Sequence, residues 1–492
     1  MFFNLKNNEM NCRIIFTLAL MFVTITFNSC KKLVEIDGPA TSLSSKNVYN
    51  NDATAIGAVT SLYVNLSNGS PTYPQELTGL SAIAGLSADE FDYYAGAQNQ
   101  TLSVYYQNAL NSLNIYSGFW ETTYQRLYVV NEALEGLGVS SGLTPAVKQH
   151  LLGEAYFMRA FYYFYLVNLY GDVPLVLNTD YTINSLIKRS SKVLVYNQIV
   201  ADLKAAQNLL SEGYLKSDGI TTYPTGSEER VRPNQTAATA LLARTYLFMK
   251  DFVNAEIQAS LVLANTLQFQ LEPLDKVFLK NNREAIWQLQ PIGNGYNTQE
   301  ARAFIIPDEG PSGFNPVYLS SELMNDFQPG DQRRNIWIGN VHANGTLYYY
   351  PYKYKIKAYA TSITEYSTVM RLAELYLIRA ESRAAQNKLG DAISDVDKIR
   401  GRAGLGLIHD TNPMISRNDL LSVIFKEKRI EFFTEWGHRW LDLKRTNTID
   451  ELMSKVTPKK SNGGAWKSYQ QYYPIGSYEL QSNPNLTQTP GY

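Results

Sequence analysis

Cysteine is nearly missing from this chain: of 492 residues only Cys12 and Cys30 are cysteine, and both fall in the first thirty. The remaining sequence can build neither a disulfide framework nor a thiolate metal site. Histidine is almost as scarce. His150, His342, His409 and His438 stand at no H-x-x-H or H-E-x-x-H spacing, which removes the usual zinc-enzyme pattern. Neither sign of charge prevails, with 44 Lys plus Arg against 45 Asp plus Glu and a net charge of −1, so there is no overall field to hold a polyanion such as nucleic acid. A G-x-x-x-x-G-K-[ST] phosphate loop is absent as well. What the chain has in quantity is tyrosine, 35 residues against 20 Phe and 6 Trp. A tyrosine joins a flat apolar ring to a hydroxyl and suits wet binding surfaces as well as cores.

The longest uncharged apolar run is Ile14–Phe27, preceded by Lys6 and Arg13 and followed by Asn28, Ser29 and Cys30. A bilayer span takes about 20 residues. The run is therefore read as the apolar part of a signal peptide, residues 1–29. A cysteine directly after such a run looks like a bacterial lipoprotein junction, with Cys30 lipidated as the mature N-terminus. Residues 30–45, polar with Gly38 and Pro39, read as the tether between anchor and body.

From Val48 onward helical periodicity dominates. Helices are expected over Asp52–Leu66, Ile115–Leu137, Pro145–Tyr170, Lys192–Leu210, Asn234–Met249, Phe252–Ala264, Tyr366–Gln386, Gly390–Ala403 and Asn418–Phe433. Two stretches repeat each other: Ala243 is followed by Phe252, Ala255 and Ala259, as Ala380 is by Leu389, Ala392 and Val396. Small residues at these offsets let two antiparallel helices approach closely, which points to tetratricopeptide-like hairpins. Long irregular stretches, chiefly Asn68–Ser112, Ser211–Arg232 and Pro291–Ser362, interrupt the helices, with short strands expected at Ala285–Leu289, Ile336–Ile338 and Leu347–Tyr354. Loops of such length within a folded domain usually carry function. The expected fold is mainly α, a helical-repeat scaffold with a loop-rich face and a few short strands. Its organisation is an N-terminal region 46–225, a central helical hairpin 226–284 and a C-terminal region 285–492, all one unit.

Several blocks together resemble the SusD/RagB family: GLSADEF (Gly85–Phe91), FWETTYQRLYVVNEAL (Phe119–Leu134), AYFMRAFYYFYLVNLYGDVPLV (Ala155–Val176), PGDQRR (Pro329–Arg334), RLAELYLIRAE (Arg371–Glu381), DAISDVDKIRGRAGL (Asp391–Leu405) and FKEKRIEFFTEWGHRWLDLKR (Phe425–Arg445). Their order and spacing cover most of the mature chain. The resemblance implies an outward-facing outer-membrane lipoprotein of Bacteroidota, without enzymatic activity or cofactor. Such a protein binds glycan and passes it to a SusC-like TonB-dependent transporter. A peptide-binding import lipoprotein and a helical protein-interaction scaffold are the alternatives.

Most of the family-marking residues read as scaffold. Glu427, Glu431 and Glu435, at i, i+4 spacing with Lys428, Arg429, Arg439, Lys444 and Arg445 nearby, suggest an ion-pair lattice along helices. Carboxylates on one helix face do not oppose each other across a cleft, as a glycosidase requires. A sugar has an apolar C–H face and a fringe of hydroxyls, so its site needs aromatic platforms flanked by amides, carboxylates or guanidinium groups. Such residues cluster in two irregular stretches. The first gives Tyr73, Tyr93, Tyr94, Gln98 and Asn99; the second gives Asn294, Tyr296, Asn297, Arg302, Phe304 and Phe314, with Trp337 beyond it. These are the candidate carbohydrate contacts, and no metal site is expected.

Overall fold

The computed structural model describes residues 45–69, 79–115, 118–293 and 295–492. Cys30, Tyr73 and Asn294, with the signal segment and most of the tether, lie outside these residues. An N-terminal unit ends at Val48, and a body runs from Tyr49 to Tyr492.

Within the body, helices begin where the sequence supplies a cap. Asn51 accepts the N–H groups of Ala53 and Thr54 at the start of α1 (Asp52–Asn68). A short helix α2 (Leu80–Ser87) leads into strand β1 (Phe91–Tyr93), and Asn99 caps α3 (Gln100–Tyr106). Then come the long α4 (Gly118–Val139) and α5 (Pro145–Tyr170). Ser191, Asn234 and Asp251 cap α6 (Lys192–Leu209), α7 (Gln235–Phe248) and α8 (Phe252–Ala264). The interrupted region contributes β2 (Ala285–Leu289), α9 (Gln299–Phe304), β3 (Val317–Leu319), α10 (Gln332–Trp337), β4 (Ile338–Ala343), β5 (Thr346–Pro351) and β6 (Ser367–Arg371). The helical array resumes with α11 (Leu372–Ala385), α12 (Leu389–Arg402), α13 (Arg417–Phe432), α14 (His438–Arg445) and α15 (Ile449–Val456).

Each long helix packs on the next, α4 on α5, then α6, α7, α8, α11 and α12, with α13 against both α11 and α12. This is the helical-repeat scaffold expected from the sequence, and the protein is mainly α. The α7–α8 and α11–α12 hairpins reproduce one another at a constant separation along the chain. Ala243, Ala255 and Ala259 in one, and Ala380, Ala392 and Val396 in the other, are fully buried at the helix–helix contact. Each hairpin turns through a left-handed residue at the same offset, Lys250 (φ 61°) and Asn387 (φ 60°). In each turn that residue and the next donate back to the last helical turn, Lys250 to Leu247 and Asp251 to Tyr246, Asn387 to Ala384 and Lys388 to Arg383.

Helix α5 lies inside the array. From Phe157 to Tyr170 every residue is buried, and Trp287 of β2 wedges edge-on against Phe157 and Phe161 with ring centroids 5.2 Å apart in both cases. Three expectations need correction. The strand expected at Ile336–Ile338 begins only at Ile338, because Ile336 and Trp337 close α10. The helix expected from Tyr366 starts at Leu372, because Ser367–Arg371 is extended and pairs antiparallel with β2, its five side chains buried. The stretch Asn68–Ser112 is not all irregular, since it holds α2 and α3. All eight residues of α2 are buried, so it shows no amphipathic period to detect.

Candidate ligand-binding face

The loop-rich face is assembled from segments far apart in sequence. Strand β1 pairs antiparallel with β3, placing Asp92 opposite Tyr318 and Tyr93 opposite Val317. Just past β1 the Tyr94 N–H donates to the Pro316 carbonyl at 2.8 Å. Asn315 donates its amide to the carbonyls of Arg302 and Ala303 at 2.9 and 2.8 Å, which ties the end of α9 to the same place. Lys357 Nζ donates to the Ile305 carbonyl at 2.7 Å and to Asn315 Oδ1 at 3.3 Å. The Ala360 N–H closes the last side on the Gly295 carbonyl, 2.7 Å away. Segments 93–99, 295–305, 312–317 and 355–360 therefore form one patch.

That patch offers rings. Phe314 is 90% exposed, Tyr359 66% and Tyr296 38%, while Tyr94 is half-buried. Tyr296 and Tyr359 meet edge to face at 5.6 Å, and the Arg302 guanidinium sits 4.6 Å from the Tyr296 ring centre. Tyr359 carries no mark in the sequence, being one tyrosine in an aperiodic segment. Gly295 makes room for it. Its φ is +75°, and a Cβ there would stand 2.1 Å from the Tyr359 ring. We expect Gly295→Ala to displace Tyr359, read as greater exposure of that ring to tyrosine nitration, with the melting temperature changed by a few degrees at most because the clash is at the surface.

Beside the patch, β4 and β5 form a hairpin whose turn is Asn344–Gly345, both at positive φ. An Asn-Gly pair between apolar runs is the sequence signal that marks it. Tyr348 of β5 meets Tyr318 of β3 edge-on at 5.1 Å, which braces the hairpin against the β1–β3 pair.

The other candidates have structural duties. The Tyr93 hydroxyl accepts the Asn99 N–H at 2.7 Å and donates to the Asn99 carbonyl at 3.1 Å. Asn99 Oδ1 in turn accepts the Leu102 N–H as the α3 cap. Tyr93, Gln98 and Asn99 also line a shallow cleft of about 290 Å³. Asn297 is buried. Its Oδ1 accepts the N–H groups of Thr364 and Glu365 at 2.8 and 2.9 Å, and its Nδ2 has no hydrogen-bond partner among the described residues. Two aromatic candidates are corrected. Phe304 is buried against Phe91 at 5.3 Å. Trp337 is fully buried, its Nε1 donating to the Leu274 carbonyl at 2.8 Å. Neither ring has a free face for stacking, and nothing in the sequence pattern says on which side of the backbone it turns.

A buried charge network fastens this face to the scaffold. Arg371, at the end of β6, binds Glu284 at 2.9 Å, Glu431 at 2.6 Å and Glu435 at 2.8 Å. Arg333 of α10 binds Asp331 at 2.8 Å, Glu427 at 2.9 Å and Glu431 at 3.1 Å. Lys353 adds Glu435 at 2.5 Å and the carbonyls of Glu431 and Phe433. The expected lattice along helices is thus replaced by pairs across elements. The flanking cations serve other carboxylates: Lys428 and Arg445 hold Glu381, and Arg429 and Arg439 hold Asp89. Neighbours at i, i+4 pair along a solvated surface, whereas this face of α13 is buried and its acids reach facing elements.

Stability should therefore depend on pH from both sides. Burial alone would push the Glu154 carboxyl up, but Arg232 and His150 pull it further down, to about 2; at Asp89, Arg439 and Arg429 likewise outweigh burial, to about 2. Their stabilisation is complete above the unfolded values near 4 and is lost as pH falls toward 2. Glu90 is the opposite case. Burial, with Asp89 beside it, pushes its carboxyl up to about 8. Its contribution is full below about 4.5 and fades as pH rises through 8. Denaturant midpoints of wild type and Glu90→Gln against pH should diverge across that upper window, the wild type falling more steeply.

Among the described residues no cluster of three or more His, Cys, Asp or Glu is placed to hold a metal, and no helix is long and apolar enough to cross a membrane. The string Gly138–Gly142 spells G-x-S-x-G, but it ends α4 instead of joining a strand to a helix, and the Ser140 hydroxyl lies 3.4 Å from Asn50 Oδ1.

A serial array of helical hairpins that carries a loop-built aromatic patch defines a helical-repeat scaffold with one loop-rich face. Two family models match the chain: one described as the SusD family over residues 338–492, the other as starch-binding associating with outer membrane over residues 86–247. SusD-like protein P2 of Formosa agariphila is 26% identical, the match covering 97% of this chain and 99% of that protein. A SusD superfamily protein from Bacteroides vulgatus superposes with a TM-score of 0.76 at 21% identity, over 90% of this chain and 99% of the other. A laminarin-binding SusD-like protein superposes with a TM-score of 0.72 at 22% identity, over 90% and 100%. The chain belongs to the SusD/RagB family.

Proposed function

We propose that this chain is a non-catalytic outer-membrane lipoprotein, held at the cell surface by lipid on Cys30, which binds oligosaccharide or polysaccharide and delivers it to a SusC-like TonB-dependent transporter. The observation that carries the reading is the cluster of Tyr296 and Tyr359 with Arg302 on the surface, on loops that hydrogen bonds tie to those carrying Tyr94 and Phe314. Ring faces take the apolar side of a pyranose, and the guanidinium and loop amides take its hydroxyls. The starch-binding description of one family model and the laminarin binding of a structural neighbour support a glycan as the ligand. Tyr93 and Asn99 shape the loop that presents Tyr94, and Asn297 fixes the floor under Tyr296.

Binding without cleavage suits the carboxylates near the patch. Glu300 accepts from Ser367, and Glu365 accepts the N–H groups of Lys355 and Ile356. Both carboxylates are buried and hydrogen-bonded within the body, so neither stands in the exposed patch. Cells expressing the full chain should retain fluorescent polysaccharide on their surface, lose it after external protease, and release no new reducing ends. A Cys30→Ala chain should appear in the soluble fraction. A protein found in the cytosol, or one that cleaves its polysaccharide, overturns the proposal.

A further inference from the structure

Glu90 immediately precedes β1, and the cleft that it lines includes no residue of the aromatic patch. Glu90 lines a cleft of about 370 Å³ between α13 on one side and α14 with α15 on the other. That volume lies within the range of small-molecule sites, about 300–1,000 Å³. Phe425, Arg429 and Phe432 stand on one face of α13, and Leu443 and Leu452 stand across from them.

Two buried polar atoms in this lining have no hydrogen-bond partner among the described residues, Glu90 Oε1 and Arg429 Nε. Glu90 is 2% exposed. An unpaired buried group costs about 1–3 kcal/mol, so two together in one cleft call for an explanation. The charges around them are already matched. Arg429 and Arg439 grip Asp89, Lys428 and Arg445 grip Glu381, and Lys455 pairs with Glu451 at 3.0 Å. An anion entering here would meet Asp326 and Asp442, and a cation would meet Arg429 and Arg439. The cleft therefore favours neither sign.

What is left unpaired is one carboxyl oxygen and one N–H, in a lining whose apolar members are Phe425, Phe432, Leu443 and Leu452. Near neutral pH the Glu90 carboxyl holds its proton, its value lying at about 8 through burial and the neighbouring Asp89, so it can donate as well as accept. Adjacent hydroxyls of a sugar ring supply a donor and an acceptor at once, and the C–H face of the same ring packs on an aromatic wall. We propose that this cleft is a second saccharide site, taking one neutral pyranose between Phe425 and Leu452 with its hydroxyls on Glu90 and Arg429 Nε. It is separate from the aromatic patch and does not depend on what that patch binds.

The test is saturation-transfer NMR on the folded Tyr296→Ala, Tyr359→Ala protein, in which the aromatic patch no longer contributes, with glucose, galactose, mannose, xylose and N-acetylglucosamine, each at millimolar concentration. At least one should receive saturation. Leu452→Trp, which fills the mouth from a half-buried position, should weaken it by about tenfold or more. Glu90→Leu, of similar volume, should do the same and serves if Leu452→Trp loses its fold. Glu90→Gln, which keeps a neutral donor and acceptor, should retain binding. No transfer to any of the five sugars, transfer unchanged in both cleft variants, or transfer to small amide dipeptides but to no sugar would overturn the proposal.

Discussion

Glu431→Ala is expected to destabilise the protein by roughly 3–5 kcal/mol, the cost of removing one partner from a buried ion cluster. The Glu431 carboxylate is fully buried and shared by Arg333, Arg371 and Arg402. Burial opposes its charge, yet Arg402, Arg371 and Arg333 together hold it well below the usual carboxylate range. Deleting it leaves three guanidinium groups in a space that water does not reach. Glu431→Gln keeps the shape and part of the hydrogen bonding, so its loss should be smaller, and the gap between the two variants isolates the charge. Urea unfolding followed by tryptophan fluorescence reads both, since Trp337 lies over the cluster, its ring within 4.9 Å of Lys353 and 5.8 Å of Arg371. The loops should loosen before the helices. Arg333 and Lys353 are the members of the cluster supplied by the irregular region, and their release should appear as faster hydrogen exchange in β4 and β5 than in α5.

The second large effect is on ligand. Replacing Tyr296 and Tyr359 together with alanine should weaken glycan binding by about 100-fold, roughly 2.7 kcal/mol, while leaving the unfolding midpoint nearly unchanged. Tyr359 is 66% and Tyr296 38% exposed, and both lie on surface loops outside the helical core, so their loss removes only part-buried area. Either single change should cost about tenfold, with Tyr296→Ala costing more because it also frees Arg302, whose guanidinium rests on that ring. Phe314→Ala should be milder, since that ring touches little of the body and must be ordered by the ligand itself. Calorimetric titration of the four proteins separates these cases.

Fold and site differ in how far the sequence exposes them. The repeat of Ala243 and Ala380 with their partners is legible because close helix approach demands small residues at fixed offsets, and the hairpins follow directly. The charged residues of α13 are legible as an ion cluster but not in their pairing, because the partners of Glu431 come from α10, β6 and α12, and no local spacing reports contacts across elements. At the site, Tyr94, Tyr296, Arg302 and Phe314 emerge where ring and amide residues crowd an irregular stretch. Phe304 and Trp337 sit in the same company and are core, since an aromatic in a short segment reads alike whether it faces water or packs on Phe91 or Phe278. Tyr359 joins the site through the Ala360–Gly295 hydrogen bond, a pairing that exists in the fold alone.

Whether ring faces on the loop patch hold a glycan is tested most directly by calorimetric titration of the soluble body, first against plant, host and microbial oligosaccharides and then, with the best ligand, against the Tyr296→Ala, Tyr359→Ala double variant. Saturable heat is expected with at least one glycan, and it should be lost in a variant that melts like the wild type. Equal affinity in the folded double variant would contradict the assignment of the patch.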